Sequence, residues 1–350
     1  SAPSLDGGAS RSANWIDYDN DGLLDLFVSR GPSAGATPYL YHNDGNGVFT
    51  KITTGPIATA IMKADGSSWG DFNNDGFVDL CVATWYNQID FLFQNNGSGN
   101  FSFLNTSPIS STAGYSETCS WGDYNNDGLL DLYVTNSAAA SKNFLYKNLG
   151  SGNFVKIDTG LVVNEVDSSR GACWVDIDND KDVDLFICNE NQNINSLFRN
   201  DGNGVFTKIT NTALTQTRGD WWSASWGDYD NDGWLDVFIS NWGSNNALYK
   251  NNGSWNFTSI TNDTIVNEVG RNAITGWGDY DNDGDLDMYV SQSYGAVPHN
   301  NLMYKNMKME TGTASFQRID AGAVTNDGGW TYGFAWGDYD RDGDLDIFCA

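Results

Sequence analysis

Short runs of alternating apolar and polar residues recur along the whole chain, and glycine-rich turns separate them. Residues 24–28 (Leu-Asp-Leu-Phe-Val) alternate in this way. Residues 39–43 and 48–52 do so as well, and an Asp-Gly-Asn-Gly turn joins them. A period of two places every second side chain on one face of a strand, and Asx-Gly turns are typical of β-hairpins. No stretch shows the 3.6-residue periodicity of an amphipathic helix. The pattern therefore predicts an all-β protein.

This unit returns at a nearly fixed period. Seven acidic hairpins begin at Asp17 and recur with spacings of 54, 52, 53, 52, 51 and 59 residues. A second hairpin follows the first six of them, and a tryptophan stands two residues before each acidic opener. A fixed period overrides the usual division of 350 residues into two domains. We therefore predict one domain, residues 1–350, folded as a seven-bladed β-propeller with four-stranded antiparallel blades and an incomplete seventh blade.

Each acidic hairpin carries oxygen-bearing side chains at positions 1, 3, 5 and 9 of a nine-residue loop. Alternation turns these side chains to one side, where they can surround one hard cation, and the carbonyl of position 7 adds a backbone ligand. The loops span residues 17–25, 71–79, 123–131, 176–184, 228–236, 279–287 and 338–346. The predicted metal ligands are Asp17, Asp19, Asp21, Leu23, Asp25, Asp71, Asn73, Asp75, Phe77, Asp79, Asp123, Asn125, Asp127, Leu129, Asp131, Asp176, Asp178, Asp180, Asp182, Asp184, Asp228, Asp230, Asp232, Trp234, Asp236, Asp279, Asp281, Asp283, Asp285, Asp287, Asp338, Asp340, Asp342, Asp344 and Asp346.

The ligand chemistry favours calcium. Magnesium prefers few protein ligands, and softer metals prefer nitrogen or sulfur. The net charge of −27 would be reduced to −13 by seven divalent ions, so we expect up to seven structural Ca²⁺ ions. The sixth loop position is glycine except at Lys181, where a left-handed turn costs roughly 1 kcal/mol. We expect that loop to be the weakest or to turn differently.

The repeated motif Trp-Gly-Asp-Tyr-Asx-Asn-Asp-Gly-x-x-Asp-Leu resembles the FG-GAP/VCBS repeat, which occurs in integrin α-subunit propellers and in secreted calcium-binding propellers and lectins. The resemblance covers nearly the whole chain. It implies an extracellular or cell-surface location, calcium in the loops, and binding more often than catalysis. The acidic surface disfavours nucleic acid as a partner, and no apolar run approaches the ~20 residues that a membrane span needs.

The face opposite the acidic loops carries the connections that vary between repeats. These connections are residues 30–38, 84–87, 137–141, 189–193, 241–245 and 291–300. Positions six and eight residues before each loop opener start the inner strands, so they should ring the mouth of the channel. Aromatic side chains beside arginines and carboxylates suit a sugar or a peptide. The predicted ligand-binding residues are Arg11, Asp65, Glu117, Arg170, Trp222, Arg271, Trp330 and Tyr332.

These features favour a non-catalytic recognition or adhesion module for a glycan or protein ligand. One alternative is a structural subunit of an extracellular assembly or filament, in which strands from other copies or other chains complete the seventh blade. For the incomplete blade itself three explanations compete: a missing continuation of the chain, which we favour, strand addition from another molecule as the second choice, and a blade that is simply short. A second functional alternative is a polysaccharide-active enzyme that uses Asp65 and Glu117. No nucleophile motif supports it.

Two modification signals remain open. The five cysteines lie in predicted strands, where buried thiols are expected, and only Cys173 and Cys188 flank one loop closely enough to be a candidate disulfide. Glycosylation is permitted by N-x-S/T sequons at Asn96, Asn100, Asn105, Asn252, Asn256 and Asn262.

Overall fold

A computed structural model describes residues 3, 6–31, 34–97, 99–138, 141–293, 300–326 and 328–350. Parts of three predicted variable connections, residues 32–33, 139–140 and 294–299, lie outside the described residues. The described residues form antiparallel sheets: four have four strands each, and an eight-stranded sheet joins two further four-stranded units, counted below as sheets 5 and 6, by pairing Asp236–Asn245 with Val269–Gly278. The four strands of each unit follow one another from the innermost to the outermost. The prediction of an all-β propeller is confirmed.

We number the sheets in chain order and give the strands of each from the innermost to the outermost. Sheet 1 contains Ser10–Ile16, Asp25–Arg30, Tyr39–Asn43 and Phe49–Lys51; sheet 2, Ala64–Gly70, Asp79–Thr84, Phe91–Asn95 and Phe101–Phe103; sheet 3, Ser116–Gly122, Asp131–Asn136, Phe144–Asn148 and Phe154–Ile157; sheet 4, Ser169–Val175, Asp184–Asn189, Ser196–Asn200 and Phe206–Lys208. Sheet 5 contains Trp221–Gly227, Asp236–Asn245, Ala247–Asn251 and Phe257–Ile260; sheet 6, Val269–Gly278, Asp287–Gln292, Leu302–Asn306 and Phe316–Ile319; sheet 7, Phe334–Gly337 and Asp346–Cys349.

Minor elements connect the sheets. Two ribbons pair Gln88–Ile89 with Ala113–Gly114 and Asn193–Ile194 with Arg218–Gly219. Short α-helices span Pro56–Thr59, Leu161–Asn164 and Lys308–Thr311, and 3₁₀ turns span Ile109–Ser111, Ala213–Thr215, Thr264–Val266 and Ala323–Thr325. Within the described part of the chain, no helix has the length and apolar character needed to cross a membrane.

The hydrophobic core lies between neighbouring sheets. The second strand of each of the first six sheets begins with at least five buried residues, because both of its faces are covered there by adjacent sheets. Tryptophans fill these interfaces: Trp15 stacks on Tyr339 at 5.6 Å between ring centroids, and Trp174 stacks on Tyr124 at 6.0 Å. The inner strand of sheet 7 contacts that of sheet 1, so the ring of sheets closes.

Every inner strand of the first six sheets contains a β-bulge near its start. In sheet 4 the register with the second strand shifts between Ser169 and Ala172, and the same shift recurs at the corresponding positions of sheets 1, 2, 3, 5 and 6. Inner strands approach closely there, since a Cβ on Gly171 would lie 2.9 Å from the carbonyl oxygen of Trp222. A bulge re-aims side chains, so the residues at this position point differently from those of a regular strand.

The cysteine hypothesis is not supported in its original form. All five cysteines are free thiols in this structure, Cys173 and Cys188 among them, and the sulfhydryl of Cys173 donates to the carbonyl of Ala224, 3.4 Å away. The thiols that come together are Cys81 and Cys119, which lie in different sheets.

Candidate functional site

The seven acidic loops share one backbone conformation. In the first loop, the carboxylate of Asp17 accepts hydrogen bonds from the N–H groups of Asp21 at 3.0 Å and Gly22 at 2.8 Å. Equivalent pairs of bonds recur in the other six loops. Lys181 has a left-handed φ of 77°, close to the φ of 82° at Gly128, the equivalent glycine of the third loop. That loop therefore keeps the common turn and carries the strain of a non-glycine residue.

The interior of each loop is suited to a cation. Carboxylate oxygens of Asp228, Asp230 and Asp236 lie within 4.8 Å of one another, and similar groups occur in other loops. Buried carboxylate oxygens of Asp19, Asp178 and Asp230 lack a hydrogen-bond partner among the residues that the structure describes. Buried anionic oxygens without donors are costly unless a cation neutralises them. The donor set consists mainly of carboxylate oxygens, which fits Ca²⁺.

The ninth position holds the most buried carboxyl group of the first six loops. In the first six loops this aspartate is fully buried. Burial raises the pKa of Asp79, Asp131 and Asp184 to about 7, because desolvation penalises the charged form. One carboxylate oxygen at this position accepts a backbone hydrogen bond from the third strand. A carboxyl group buried in this way is stabilised by a proton or by a bound cation that offsets its charge.

A side chain from the third strand covers several loops. The Nζ atom of Lys250 lies 2.8 Å from the Oδ2 atom of Asp232 and also contacts Asp230. In the first loop the equivalent residue is His42, whose Nδ1 atom lies 3.2 Å from the Oδ1 atom of Asp25. Nitrogen-bearing side chains therefore reach the same carboxylates that a metal ion would use.

A buried asparagine ends the third strand of each four-stranded sheet and links neighbouring loops. In sheet 4, the N–H of Asn200 donates to Asp184 at 2.8 Å, and its Nδ2 atom donates to the carbonyl of Tyr124 in the preceding loop at 2.7 Å. Asn43 makes the equivalent bond to Tyr339, 296 residues away, at 3.0 Å. The same contacts are made by Asn95, Asn148, Asn251 and Asn306.

The fourth loop position links the loops a second time. Asn20 has a left-handed φ of 61°, and its Nδ2 atom donates to the carbonyl of Gly76 in the next loop at 2.9 Å. Asn74 donates to Gly128 in the same way at 2.9 Å. Sequence reasoning missed both asparagine positions as functional. Their signal was present, because asparagine recurs at the fourth loop position in six loops and at the end of the third strand in six sheets.

The opposite end of the inner strands forms a cavity at the mouth of the channel. This channel-mouth cavity has a volume of about 190 Å³ and is lined by Arg11, Asp65, Trp85, Tyr86, Glu117, Arg170, Trp222 and Tyr332. Six of the eight predicted ligand-binding residues therefore come together. Arg271 and Trp330 do not line it: Arg271 lies over the ring of Trp242 at 5.3 Å, and Trp330 is exposed elsewhere. Trp85 and Tyr86 come from the second connection of sheet 2.

Charged groups of both signs alternate around this cavity. The Nη1 atom of Arg170 lies 2.6 Å from the Oε2 atom of Glu117, and its Nε atom lies 2.8 Å from the Oε2 atom of Glu190. The Nε atom of Arg11 lies 3.7 Å from the Oδ1 atom of Asp65. The hydroxyl of Ser137 donates to the remaining oxygen of Glu117. Both oxygens of Glu117 therefore have partners.

Burial perturbs the charged groups at the base of the cavity. Desolvation raises the pKa of the Glu117 carboxyl, Arg170 opposes that shift, and Asp65 adds to it. Burial lowers the pKa of the Arg170 guanidinium, but the carboxylates of Glu117 and Glu190 outweigh it and leave that pKa above its usual value. The ion pair keeps a permanent positive charge beside a carboxyl group whose burial disfavours ionisation.

Aromatic rings hold the two arginines in place. The guanidinium carbon of Arg170 lies 4.2 Å from the ring centroid of Trp222, whose indole also stacks on Trp242 at 4.2 Å and an interplanar angle of 10°. The guanidinium carbon of Arg11 lies 3.7 Å from the ring centroid of Tyr332. The predicted aromatic residues thus mainly orient guanidinium groups, and Trp222 lies between Arg170 and Trp242.

Tyr86 presents the exposed aromatic surface at the rim. It is 43% exposed, and its ring packs edge-on against Trp85 at 4.6 Å. Its φ is 60° and that of Asn87 is 58°, whereas the equivalent turn of sheet 4 uses Asn191 and Gln192 at φ values of 61° and 60°. Tyrosine is unfavourable in this left-handed conformation, and such strain often marks a functional position.

Comparisons with known proteins agree with this architecture. A family model described as FG-GAP-like repeat matches residues 17–82, 71–134, 123–187, 176–239 and 228–290, which together cover more than half of the chain. Cartilage acidic protein 1 of Xenopus tropicalis is 27% identical over 320 residues, which is 89% of this chain and 45% of that protein. The human protein of the same name is 24% identical over 260 residues, 68% of this chain and 38% of its own length. The chain thus spans less than half the length of these curated relatives.

Two solved structures share the fold. One is an Agrocybe aegerita lectin that recognises non-reducing terminal N-acetylglucosamine, with a TM-score of 0.61 and 16% identity over 97% of this chain and 85% of the lectin. The other is BBS1N, solved in complex with ARL6DN, with a TM-score of 0.54 and 12% identity over 97% of this chain and 92% of that one. At these identities the likeness concerns the fold alone.

Proposed function

The chain belongs to the FG-GAP-like repeat family, and from this membership and the site geometry we propose that it is an extracellular, calcium-stabilised, non-catalytic recognition module. Its channel-mouth cavity binds a neutral terminal sugar of a glycan. The observation that carries this proposal is the convergence of alternating arginines and carboxylates with aromatic side chains in one half-open cavity.

The charge pattern favours a neutral, polyhydroxylated ligand. Sugar hydroxyl groups both donate and accept hydrogen bonds, so they match guanidinium donors that alternate with carboxylate acceptors. Arg11 and Arg170 are balanced by Asp65, Glu117 and Glu190, which leaves no excess positive charge to attract a phosphate or a strongly acidic glycan. Tyr86 adds an exposed ring at the rim, on which the apolar face of a sugar ring can pack.

The size of the cavity limits what enters it. Sites for drug-sized ligands usually measure about 300–1,000 Å³. A volume of about 190 Å³ accommodates a single terminal residue, with the rest of the glycan outside. The fungal lectin of similar fold recognises a non-reducing terminal sugar, so neutral terminal sugars are the first ligands to test.

Calcium has a structural role in this proposal. The buried, unpartnered carboxylate oxygens of Asp19, Asp178 and Asp230 support a cation in the loops. The proposed ligands are those of the nine-residue loops, and bound Ca²⁺ neutralises their charge. Loops of this kind outside cells commonly bind calcium at ~10⁻⁴ to 10⁻³ M, which suits an extracellular protein.

The engagement of Glu117 supports binding over catalysis. A glycan-cleaving enzyme needs two carboxyl groups that can act as acid and as base or nucleophile. Arg170 and Ser137 occupy both oxygens of Glu117, so this carboxyl group is already engaged within the protein. Asp65 then has no second carboxyl group available to it within the cavity lining.

A glycan array probed in millimolar calcium tests the proposal. We expect retention on a restricted set of neutral terminal sugars. Asp65→Asn, which keeps the shape of the side chain and removes its charge, should reduce binding at least tenfold. Trp330→Ala is the matched control, because Trp330 is an exposed aromatic residue outside the cavity lining. Retention of no neutral sugar, equal loss in the control, or release of free sugar from bound glycans would each contradict the proposal.

A further inference from the structure

Two cysteines from different sheets meet inside the interface between sheets 2 and 3. Cys81 lies in the second strand of sheet 2, and Cys119 lies in the inner strand of sheet 3. Their Sγ atoms are 2.9 Å apart, and both residues are buried. This separation is within about 1 Å of the ~2.05 Å length of a disulfide bond.

The position of Cys81 is aromatic in the other six sheets. The corresponding residues, defined by their register with the inner strand, are Phe27, Tyr133, Phe186, Phe238, Tyr289 and Phe348. These aromatic residues pack against the next sheet; Phe27, for example, contacts Trp69 edge-on at 5.5 Å. Sheet 2 thus lacks the aromatic contact that fills the equivalent interfaces.

The position of Cys119 also differs from its equivalents. The corresponding inner-strand residues are Ala13, Ser67, Ala172, Ala224, Thr275 and Phe334. Residues at these two positions do meet across neighbouring sheets, since Tyr289 and Phe334 lie 4.7 Å apart between ring centroids. Cysteine occupies both positions at one interface, and there the two side chains face each other.

We propose that Cys81 and Cys119 form a disulfide bond that joins sheets 2 and 3. Each thiol loses its hydrogen, the Sγ–Sγ bond forms, and the two electrons and two protons pass to a small-molecule disulfide, which is reduced to two thiols. The bond replaces the aromatic packing of the other interfaces with a covalent link. An extracellular protein meets this oxidant in the secretory compartment. The natural occurrence of the bond therefore rests on the extracellular location in the proposed function.

The surroundings indicate when the bond forms. Burial raises the pKa of both thiols, so the reactive thiolate is scarce once the interface has packed. The bond therefore forms during folding and afterwards resists exchange. Cys173 differs from this pair, because its sulfhydryl donates to the backbone carbonyl of Ala224.

Peptide mapping of the chain expressed through an oxidising secretory compartment tests the proposal. The host then supplies the oxidant, so the result does not depend on where the natural protein resides or on glycan binding. The protein is alkylated in denaturant without reductant. We expect one cross-linked peptide pair that contains Cys81 and Cys119, and alkylation of the other three cysteines. Alkylation of all five, or a link between any other pair, would overturn the proposal.

Matched variants provide a second readout. Cys81→Ala should abolish the link and expose Cys119 to alkylation, whereas Cys188→Ala should leave the link intact. Reductant should lower the melting temperature of the wild-type protein by roughly 2–8 °C and leave that of Cys81→Ala unchanged. An equal shift in both proteins would contradict a stabilising bond at this interface. If Cys81→Ala does not fold, the peptide map of the wild-type protein is the test of the proposal.

Discussion

The two ends of each inner strand behave differently. In sheet 4 the strand Ser169–Val175 carries Arg170 near its start at the channel mouth and ends directly before Asp176, which opens an acidic loop. The loop end is nearly the same in all seven repeats, down to the hydrogen bonds of its first aspartate. The mouth end has a different side chain in almost every sheet. The repeated acidic loops at one end link neighbouring sheets to one another. The different side chains at the other end together line a single cavity.

The comparison shows why one site is repeated and the other is unique. All the predicted metal ligands of a loop come from a single hairpin, so the same site can recur in every repeat. Asparagines then link each loop to its neighbours. The channel-mouth cavity needs contributions from several sheets at once. A β-bulge at one position turns those residues inward, and the cavity depends on the residue that each sheet supplies there.

Calcium removal should cause the largest loss of stability, because it affects all seven acidic loops. At millimolar calcium and dissociation constants of ~10⁻⁴ M, each ion stabilises the fold by roughly 1–2 kcal/mol, or about 10 kcal/mol for seven. We expect excess chelator to lower the melting temperature by more than about 10 °C. Added calcium should restore it, and equimolar magnesium should not. Identical melting curves with and without chelator would contradict the structural role.

Breaking one asparagine link between neighbouring loops should cause the next largest loss of stability. Asn200→Ala removes three hydrogen bonds of a buried side chain and leaves the carbonyl of Tyr124 without its donor. We expect a loss of roughly 2–4 kcal/mol in the free energy of unfolding, measured by denaturant titration in calcium. Asn211→Ala, at an exposed asparagine, should cost less than about 0.5 kcal/mol. Equal effects of the two substitutions would contradict the link.

Asp90→Asn should stabilise the protein, and the gain should depend on pH. Asp90 is fully buried, accepts hydrogen bonds from the N–H of Thr84 and the hydroxyl of Ser116, and burial raises its pKa to about 7. Asparagine occupies the equivalent position in sheets 3 to 6 at Asn143, Asn195, Asn246 and Asn301.

The sign of this effect follows from proton binding. Between pH ~4 and 7 the unfolded chain ionises Asp90 while the folded protein holds its proton, so rising pH costs stability. The gain from Asp90→Asn should therefore be roughly 1–3 kcal/mol at pH 8 and smaller at pH 5, by thermal melts at both values. A gain that is larger at pH 5 would exclude a raised pKa in the folded state.

Lys181→Gly should cause the smallest change in stability. It gives the fourth loop the glycine that the other six loops have at this position. Glycine relieves the left-handed strain but loses more conformational entropy on folding, so we expect a gain of roughly 0.5–1 kcal/mol. Calcium titration should show one site tightening and no change in the number of sites. Gly233→Lys is the reverse substitution in the fifth loop and should weaken one site. A destabilised Lys181→Gly variant would contradict the strain argument.

Much of this organisation could be predicted from the sequence, because periodicity and ligand spacing are local signals. The propeller class followed from the repeat, and counting back from each loop opener identified six residues that line the cavity. The roles of individual side chains were harder to predict. Trp222 was expected to face a ligand, yet it lies between Trp242 and Arg170, because contacts between sheets are not visible in a single repeat. The bulge and the asparagine links depend on backbone geometry in the same way.

Parallel measurement of glycan binding and thermal stability for two variants tests the central claim most directly. Tyr86→Asn removes the exposed ring but retains a residue that the equivalent turn of sheet 4 uses at Asn191. On an array of neutral terminal sugars in calcium, it should bind at least tenfold more weakly than wild type with an unchanged or slightly higher melting temperature. Asp230→Ala, in an acidic loop, should lower the melting temperature and leave sugar affinity below that melting temperature unchanged. Full binding by Tyr86→Asn together with lost binding by folded Asp230→Ala would contradict the division of roles between the two ends.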